Sequence, residues 1–180
     1  MEGVLADRRG GPPASADPSL VEAACNGDRE AFGVIFERYA PMVHGILLAR
    51  APRDEVDDLM QDVFVTALQR IGTLRESLAF GGWLATIARN RVIDFHRTHR
   101  KTTELPENLA HHEGHRSEAE QALAMIRTLP EAYRETLVLR LVEGMSGPEI
   151  AERVGLTPES VRVNLHRGMA MLREKLGGKP

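Results

Sequence analysis

The chain has 180 residues, 27% of them charged, and a formal net charge of −3 at pH 7. This length allows one domain or two small ones. Aromatic residues make up only 4%, which argues against a β-sandwich and favours helices packed through aliphatic side chains. The single cysteine, Cys25, excludes an intrachain disulfide framework. Without an apolar run of ~20 residues or a secretory signal, the chain is expected to be cytoplasmic and not inserted in a membrane.

The charges are unevenly distributed along the chain. Residues 54–62 carry five acids and no base, whereas residues 89–101 carry five bases against one acid. Residues 158–180 carry five bases against two acids. Separate acidic and basic segments indicate two kinds of partner, although solvated helix faces produce the same pattern.

The first elements along the chain are a disordered tail and two helices. Residues 1–18 are rich in Gly, Pro and Ala, which predicts disorder. Asp28 is placed to cap a helix that begins near Arg29, and Pro41 is expected to kink or divide this helix. Apolar residues at helical spacing predict the next helix over residues 55–71.

The second half of the pattern contains a break and then a new helical region. Residues 72–82 are predicted to form a loop, and residues 83–100 a further helix. Residues 101–117 lack an apolar period and are predicted to be a flexible linker. The sequence therefore predicts an all-α protein with two small helical domains, residues 19–100 and 118–176, the second containing a helix-turn-helix.

Short signals define the two helices of this helix-turn-helix. Ser146 and Glu149 have the spacing of a capping box, which predicts the start of the first helix. Gly155 can adopt the left-handed conformation that ends it. Thr157 can cap the second helix, and Pro158 suits its first position.

The outer face of the second helix suits duplex DNA. An α-helix fits the major groove, and an arginine can donate two hydrogen bonds to guanine O6 and N7, worth about 1–3 kcal/mol of base discrimination. The alternative is a structural helical hairpin with a solvated charged face. We predict that the side chains on this face contact DNA: Glu159, Arg162, Val163, His166 and Arg167.

The front domain has features suited to other partners. An acidic and glutamine-bearing face lies on the helix at residues 55–71, because positions three and four residues apart are neighbours. The later basic helix begins beside Phe80 and Trp83, and aromatic rings next to bases are typical of single-stranded nucleic-acid sites. We favour a core position for both rings, which would then fix a loop that presents residues 73–79 to a flipped base.

Four segments, in this order, carry a resemblance to a known family: GDREAF, DEVDDLMQDVFVTAL, F-x-x-WL-x-x-IARN-x-x-x-D, and LPEAYRETLVLRLVEGMSGPEIAERVGLTPESVRVNLHRGMAMLREKL. Over residues 19–176 the sequence resembles bacterial RNA polymerase sigma factors of the extracytoplasmic-function (ECF) type. The resemblance implies a non-enzymatic subunit that binds core RNA polymerase, directs it to promoter −10 and −35 elements and helps to open the DNA.

The resemblance also implies roles for particular residues. Contact with the clamp helices of the largest polymerase subunit is expected at Asp57, Asp58, Gln61 and Asp62. The loop at residues 74–79 is expected to capture an unpaired base. Contact with the −10 element, double- or single-stranded, is expected at Leu74, Arg75, Glu76, Ser77, Arg89, Asn90 and Arg91. The rear domain is expected to contact the −35 element and the polymerase flap, and an anti-sigma protein is an expected partner.

The resemblance leaves some features open. Gly81 and Gly82 replace polar or basic residues that are frequent in relatives, so the loop is expected to be more mobile. Val163 and His166 are weak base-contacting residues, which shifts −35 specificity towards the arginines and DNA shape.

The same sequence allows other functions. A stand-alone dimeric helix-turn-helix regulator is the main alternative, and a transposase-like enzyme lacks the acidic constellation that it would need. We expect no cofactor, no catalytic residue and no metal, although several histidines could bind one: His96, His99, His111, His112 and His115.

Overall fold

The computed structural model describes residues 18–102 and 117–177, and all regular structure within these ranges is helical. The all-α prediction is confirmed. The helices are α1 (Pro18–Cys25), α2 (Arg29–Leu48), α3 (Val56–Arg70), α4 (Phe80–Thr102), α5 (Glu118–Arg127), α6 (Glu131–Leu141), α7 (Gly147–Val154) and α8 (Pro158–Lys175). Among the described residues, no helix combines the length and the apolar character needed to cross a membrane.

The front domain consists of α1 to α4, with α2, α3 and α4 packed against one another. As predicted, Asp28 caps α2, and its Oδ1 accepts hydrogen bonds from the backbone N–H groups of Glu30 and Ala31 at 2.9 and 3.1 Å. Pro41 was expected to kink or divide this helix; it does not divide it, since α2 continues through it, and the kink stays a prediction. Pro41 is exposed, so water can bond the carbonyl that a proline leaves free.

The segment predicted as a loop is more ordered than expected. Short 3₁₀ turns occupy Ile71–Thr73 and Ser77–Ala79, and α4 begins at Phe80 and not at residue 83. Gly81 and Gly82 therefore belong to the first turn of a helix. At its other end α4 extends to Thr102, two residues into the predicted linker. The rest of that linker, residues 103–116, lies outside the described residues, as do residues 1–17 of the predicted tail.

The rear domain consists of α5 to α8. Two reciprocal capping boxes, Ser117 with Glu120 and Ser146 with Glu149, fix the starts of α5 and α7. In the second box the hydrogen bonds from the side chain and backbone of Ser146 lower the pKa of Glu149, because they stabilise its carboxylate. Gly155 ends α7 with φ 71°, as predicted, because an L side chain is disfavoured there.

The two domains pack together in the structure. Helix α2 contacts α6 and α7, and α4 contacts α7, so their apolar side chains form one continuous core. Two glycines allow the close approach. A Cβ on Gly45 would lie 2.7 Å from Leu139 Cδ2, and a Cβ on Gly81 would lie 2.6 Å from the Arg153 carbonyl oxygen. The close fit between the domains therefore depends on the absence of a side chain at Gly45 and at Gly81.

Candidate nucleic-acid interface

Helix α8 carries the residues that the sequence predicts to contact DNA. Its N-terminus is capped by Thr157, whose Oγ1 accepts a hydrogen bond from Ser160 N at 3.2 Å. Val161 and Leu172 are buried, which turns the opposite side of the helix to solvent. The predicted side chains are all exposed there: Glu159, Arg162, Val163, His166 and Arg167.

Close packing fixes where this face lies on the rear domain. Helix α8 crosses α6 at Gly168, where a Cβ would lie 2.9 Å from Leu137 Cδ1 and 3.1 Å from Tyr133 Cβ. Leu137 is fully buried. Because packed interiors resist displacement, the helix has little freedom to slide, and its outer side chains keep a fixed orientation.

Hydrogen bonds to α1 hold the predicted base-capturing loop and the turn before it. Ser77 Oγ donates a hydrogen bond to Glu22 Oε1 at 3.2 Å, and Cys25 Sγ donates to the Ile71 carbonyl at 3.2 Å. Leu74 is half-buried, whereas Arg75 and Glu76 are exposed. The loop is thus anchored at two points, and its polar side chains remain accessible.

One exposed residue of this loop was not among the predicted contact residues. Leu78 is 82% exposed. It lies within the segment 74–79 expected to capture a base. A single leucine between Ser77 and Ala79 is a weak signal in a sequence, because single apolar residues are common on protein surfaces.

The two aromatic residues at the start of α4 support the loop. Phe80 is 1% exposed and makes an edge-to-face contact with Tyr39, with ring centroids 5.0 Å apart. Trp83 is half-buried and packs against Phe80 at 5.7 Å. The expected core position is confirmed for Phe80, and Trp83 lies at the edge of the same cluster.

The three consecutive residues Arg89, Asn90 and Arg91 point in different directions, because successive residues on a helix do not share a face. Arg89 turns to the rear domain and donates to Glu135 from Nε at 3.1 Å and from its terminal nitrogen at 2.6 Å. Arg91 turns to α3 and donates to Asp62, with its Nε at 2.9 Å. Asn90 is exposed, whereas Arg89 and Arg91 are partly buried.

The predicted polymerase-binding face is largely accessible. Asp57, Asp58 and Gln61 are exposed on α3. Asp62 is partly buried and its carboxylate is held by Arg91, so one predicted polymerase contact is paired with one predicted DNA contact. Asp62 of the predicted polymerase set and Asn90 and Arg91 of the predicted −10 set line the groove between α3 and α4. The other lining residues are Val65, Thr66, Arg70, Ile87 and Asp94.

An apolar groove that was not anticipated adjoins the acidic face. Its volume is about 290 Å³, and the Phe36 and Phe64 rings in it lie 4.5 Å apart. Val65 and Leu68 at its edge are about half exposed. The lining residues are Phe32, Phe36, Asp57, Met60, Gln61, Phe64, Val65 and Leu68. Apolar residues four and seven positions after Gln61 were a usable signal in the sequence.

Metal binding finds no support among the described residues, where no group of three His, Cys, Asp or Glu side chains is placed to hold an ion. His96 Nε2 lies 2.9 Å from the Arg50 carbonyl oxygen, and His99 Nδ1 lies 3.1 Å from that of Phe95. His111, His112 and His115 lie outside the described residues. Burial raises the pKa of the Cys25 thiol, which lowers its reactivity.

The fold and these surfaces define a two-domain helical DNA-binding protein whose rear domain is a helix-turn-helix. Comparison with known proteins gives the same division. The model of Sigma-70 region 2 matches residues 35–102, and that of Sigma-70 region 4 matches residues 119–172. The chain belongs to the RNA polymerase sigma factors of the ECF type.

Individual relatives cover nearly the whole chain. RNA polymerase sigma factor CarQ of Myxococcus xanthus is 35% identical over 162 residues, which is 84% of this chain and 92% of that protein. The ECF RNA polymerase sigma-E factor of Haemophilus influenzae is 29% identical over 183 residues, 89% of this chain and 95% of that protein. The structure of CnrH in complex with the cytosolic domain of CnrY is similar with a TM-score of 0.62 and 28% identity, covering 90% of this chain and 97% of that chain.

The family membership establishes the general function. The protein is a sigma factor that directs RNA polymerase to promoters, and it belongs to a non-enzymatic family. Sigma factors bind core RNA polymerase and promoter DNA. The protein is therefore a promoter-specificity subunit of RNA polymerase. It is not a stand-alone transcriptional regulator, the alternative that its helix-turn-helix also allowed.

Proposed function

We propose that the exposed side of α3 binds the clamp helices of the largest polymerase subunit. The observation that carries this proposal is the row of exposed Asp57, Asp58 and Gln61 beside the open apolar groove. Burial of apolar surface would supply affinity, and the flanking carboxylates would set orientation and speed association with a basic partner. Asp62 contributes less directly, because it is held by Arg91.

Charge reversal on α3 tests this contact. We expect Asp58→Arg combined with Gln61→Ala to weaken binding to core polymerase in a pull-down with the full chain, without loss of helical content. The matched control is Glu152→Arg with Gln69→Ala, which likewise reverses an exposed acid and removes an exposed glutamine, at positions that do not line the groove. Equal recovery of polymerase by the two double variants would refute the proposed surface.

For the −10 element, we propose that the loop at residues 74–79 receives an unpaired base and that α4 contacts the adjoining strand. The loop is anchored to α1, and Asn90 is exposed above the α3–α4 groove. Unstacking a base costs a few kcal/mol, which a pocket for the flipped base offsets in part. Arg89 and Arg91 would supply phosphate contacts when their present carboxylate partners release them.

For the −35 element, we propose that Arg162 and Arg167 contact the major groove, with Glu159, Val163 and His166 completing the face. All five side chains are exposed on one capped helix. Two arginines form a modest base-contacting set, which suffices because binding to polymerase makes the second promoter contact effectively intramolecular. Transcription by core polymerase with this protein on a randomised promoter library would identify both elements, and failure to enrich any −10 or −35 sequence would refute the assignment.

The remaining partners are proposed by similarity. CnrH was solved with the cytosolic domain of CnrY bound, which supports an anti-sigma partner for this chain. A flap contact by the rear domain and a cytoplasmic location follow from the proposed role beside polymerase. Co-purification from cells with the tagged full chain would test the anti-sigma partner.

A further inference from the structure

Leu78 is the most exposed large apolar side chain among the described residues. It is 82% exposed, followed by Ile93 at 63% and Leu176 at 58%. A leucine this exposed has almost no contact with its own chain, so it does not form the wall of a pocket within the protein. Single exposed apolar residues are common and carry no meaning by themselves. The backbone that holds Leu78 distinguishes it from such a residue.

That backbone is a short hydrogen-bonded turn. The Ala79 N–H donates to the Glu76 carbonyl at 2.9 Å, which makes Ser77 and Leu78 the two central residues of the 3₁₀ turn Ser77–Ala79. Leu78 therefore lies at the apex of the turn, where its side chain projects away from the domain.

Both sides of the turn are fastened to the front domain. Before Leu78, Ser77 Oγ donates to Glu22 Oε1 of α1 at 3.2 Å, and α1 packs against the turn. After it, Phe80 is 1% exposed and contacts the Tyr39 ring, with centroids 5.0 Å apart. Loops with few contacts open easily, whereas this one is tied to the domain at both ends. The exposed leucine is thus held in a fixed position.

The charges around Leu78 do not favour contact with phosphate. Arg75 is the one basic residue of the loop, whereas Glu76 beside it and Glu22 beneath it are acidic. Basic side chains that neutralise phosphates supply most of the affinity for the DNA backbone, so this loop gains little from it. An uncharged leucine can instead contact the apolar faces of the bases, which are accessible only where two stacked bases separate.

We propose that Leu78 inserts between two adjacent base pairs at the upstream edge of the melted DNA and keeps that step unstacked while the loop receives the neighbouring base. This inference rests on the proposed placement of the loop at the −10 element. Leucine is among the apolar side chains that proteins insert between base steps to unstack and kink a duplex. Burial of the leucine offsets part of the cost of unstacking, and the fixed turn keeps the side chain in the stack.

A comparison of paired and unpaired templates tests the insertion. Run-off transcription by core polymerase with the full chain is measured on one template recovered from the randomised library. The template is used as a duplex and with mismatches that leave the upstream edge of its open region unpaired; permanganate reactivity of thymines locates that edge. We expect Leu78→Ala to lower initiation on the duplex by on the order of tenfold and to leave the mismatched template within about twofold, because insertion is needed only where bases are stacked.

Three variants control this comparison. Leu176→Ala shortens another exposed leucine, at the end of α8, and should leave both templates unchanged. Leu78→Met should keep most of the duplex activity because a long apolar chain can still insert, whereas Leu78→Gln, of similar length but polar, should not. An equal loss on both templates would show that Leu78 acts after melting, and an unchanged duplex rate would show that it does not act in melting. Either result overturns the insertion.

A fluorescent adenine analogue at the upstream edge measures the unstacking directly, because its emission rises when it leaves the stack. With core polymerase bound to the full chain, we expect this rise on the duplex to be several-fold slower for Leu78→Ala than for Leu176→Ala. Contact of Leu78 with polymerase is the competing outcome. It predicts that Leu78→Ala lowers recovery of core polymerase in the pull-down and slows both templates alike, and this result would also overturn the insertion.

The insertion and the base-capture assignment can fail separately. If the library enriches no −10 sequence while a recovered template still shows the selective loss on the duplex, the base-capture assignment fails and the insertion by Leu78 stands. If a −10 sequence is enriched and Leu78→Ala matches Leu176→Ala on the duplex, the base-capture assignment stands and the insertion fails.

Discussion

The two surfaces proposed to contact DNA differ in how their arginines are occupied. On α8, Arg162 and Arg167 project into solvent from a helix fixed by its cap and by its packing on α6. On α4, Arg89 and Arg91 are each held by a carboxylate, one from the rear domain and one from α3. The arginines of the surface proposed for duplex DNA are thus accessible in the structure, whereas those of the surface proposed for the melted strand are paired with carboxylates.

This difference fits the energetics of the two tasks. Contact with duplex DNA requires no change in the DNA, so a preformed exposed face is sufficient. Capture of an unpaired base requires unstacking, which costs free energy and would be wasteful before polymerase is bound. Carboxylates that occupy the α4 arginines would lower non-specific binding to phosphates, which depends on available positive charges.

The largest expected effect comes from removing the exposed arginines. Each of Arg162→Ala and Arg167→Ala should cost about 1–3 kcal/mol of promoter discrimination. We expect these losses without any change in domain spacing, because neither side chain lies at the domain interface. Relative transcription from a selected and a scrambled −35 element measures the effect. Arg173→Ala, an exposed arginine in the last turn of α8, is the control, and an equal loss there would show that only general positive charge matters.

A smaller effect should follow from removing the cap of the same helix. Thr157→Ala deletes the acceptor of the Ser160 N–H and should lower the free energy of unfolding by about 1 kcal/mol. Urea unfolding measures the change, and Thr157→Ser should restore most of it because the hydroxyl is kept. Should the alanine and serine variants be equally stable, the hydroxyl does not contribute to the fold, and packing alone orients the −35 surface.

The smallest expected effect concerns pH. His44 of α2 lies 2.6 Å from Glu143, which follows α6. This hydrogen bond raises the pKa of His44; burial opposes the rise, and among nearby charges Glu143 and Asp57 raise the pKa while Arg53 lowers it. A raised pKa means that His44 stabilises the packing of the two domains below its ordinary value of 6.5 and that this contribution is lost as pH rises through the raised value.

The expected size of the His44 contribution follows from the exposure of its side chain. Because the His44 side chain is 36% exposed, solvent screening should keep the contribution below about 1 kcal/mol. Energy transfer between dyes on Gln69→Cys and Glu174→Cys, in a Cys25→Ser background, should report a shorter spacing of the two domains at about pH 6 than at about pH 8, within the range where histidine titrates. His44→Gln should flatten that dependence, and a slope that survives in the variant would assign it to other groups.

Much of the fold could be predicted because its signals are local. Asp28, Ser146, Gly155 and Thr157 each act within a few residues, and all four begin or end helices as expected. The start of α4 was misplaced by three residues, since two glycines in a row argue for a loop. In the structure Gly81 is needed inside the helix, where a partner from the other domain leaves no room for a side chain.

The sequence by itself determined the helices, the helix-turn-helix and the outward face of α8, because helical periodicity and caps depend on near neighbours. Only the tertiary structure decided which side chains are available on the front domain. Arg89 meets Glu135 46 residues away, and Arg50 meets it 85 residues away. Such pairings depend on how α6 sits against α2 and α4, and no spacing along the chain encodes that placement. For the same reason, a run of arginines on α4 indicates DNA binding but not whether those arginines are free to bind.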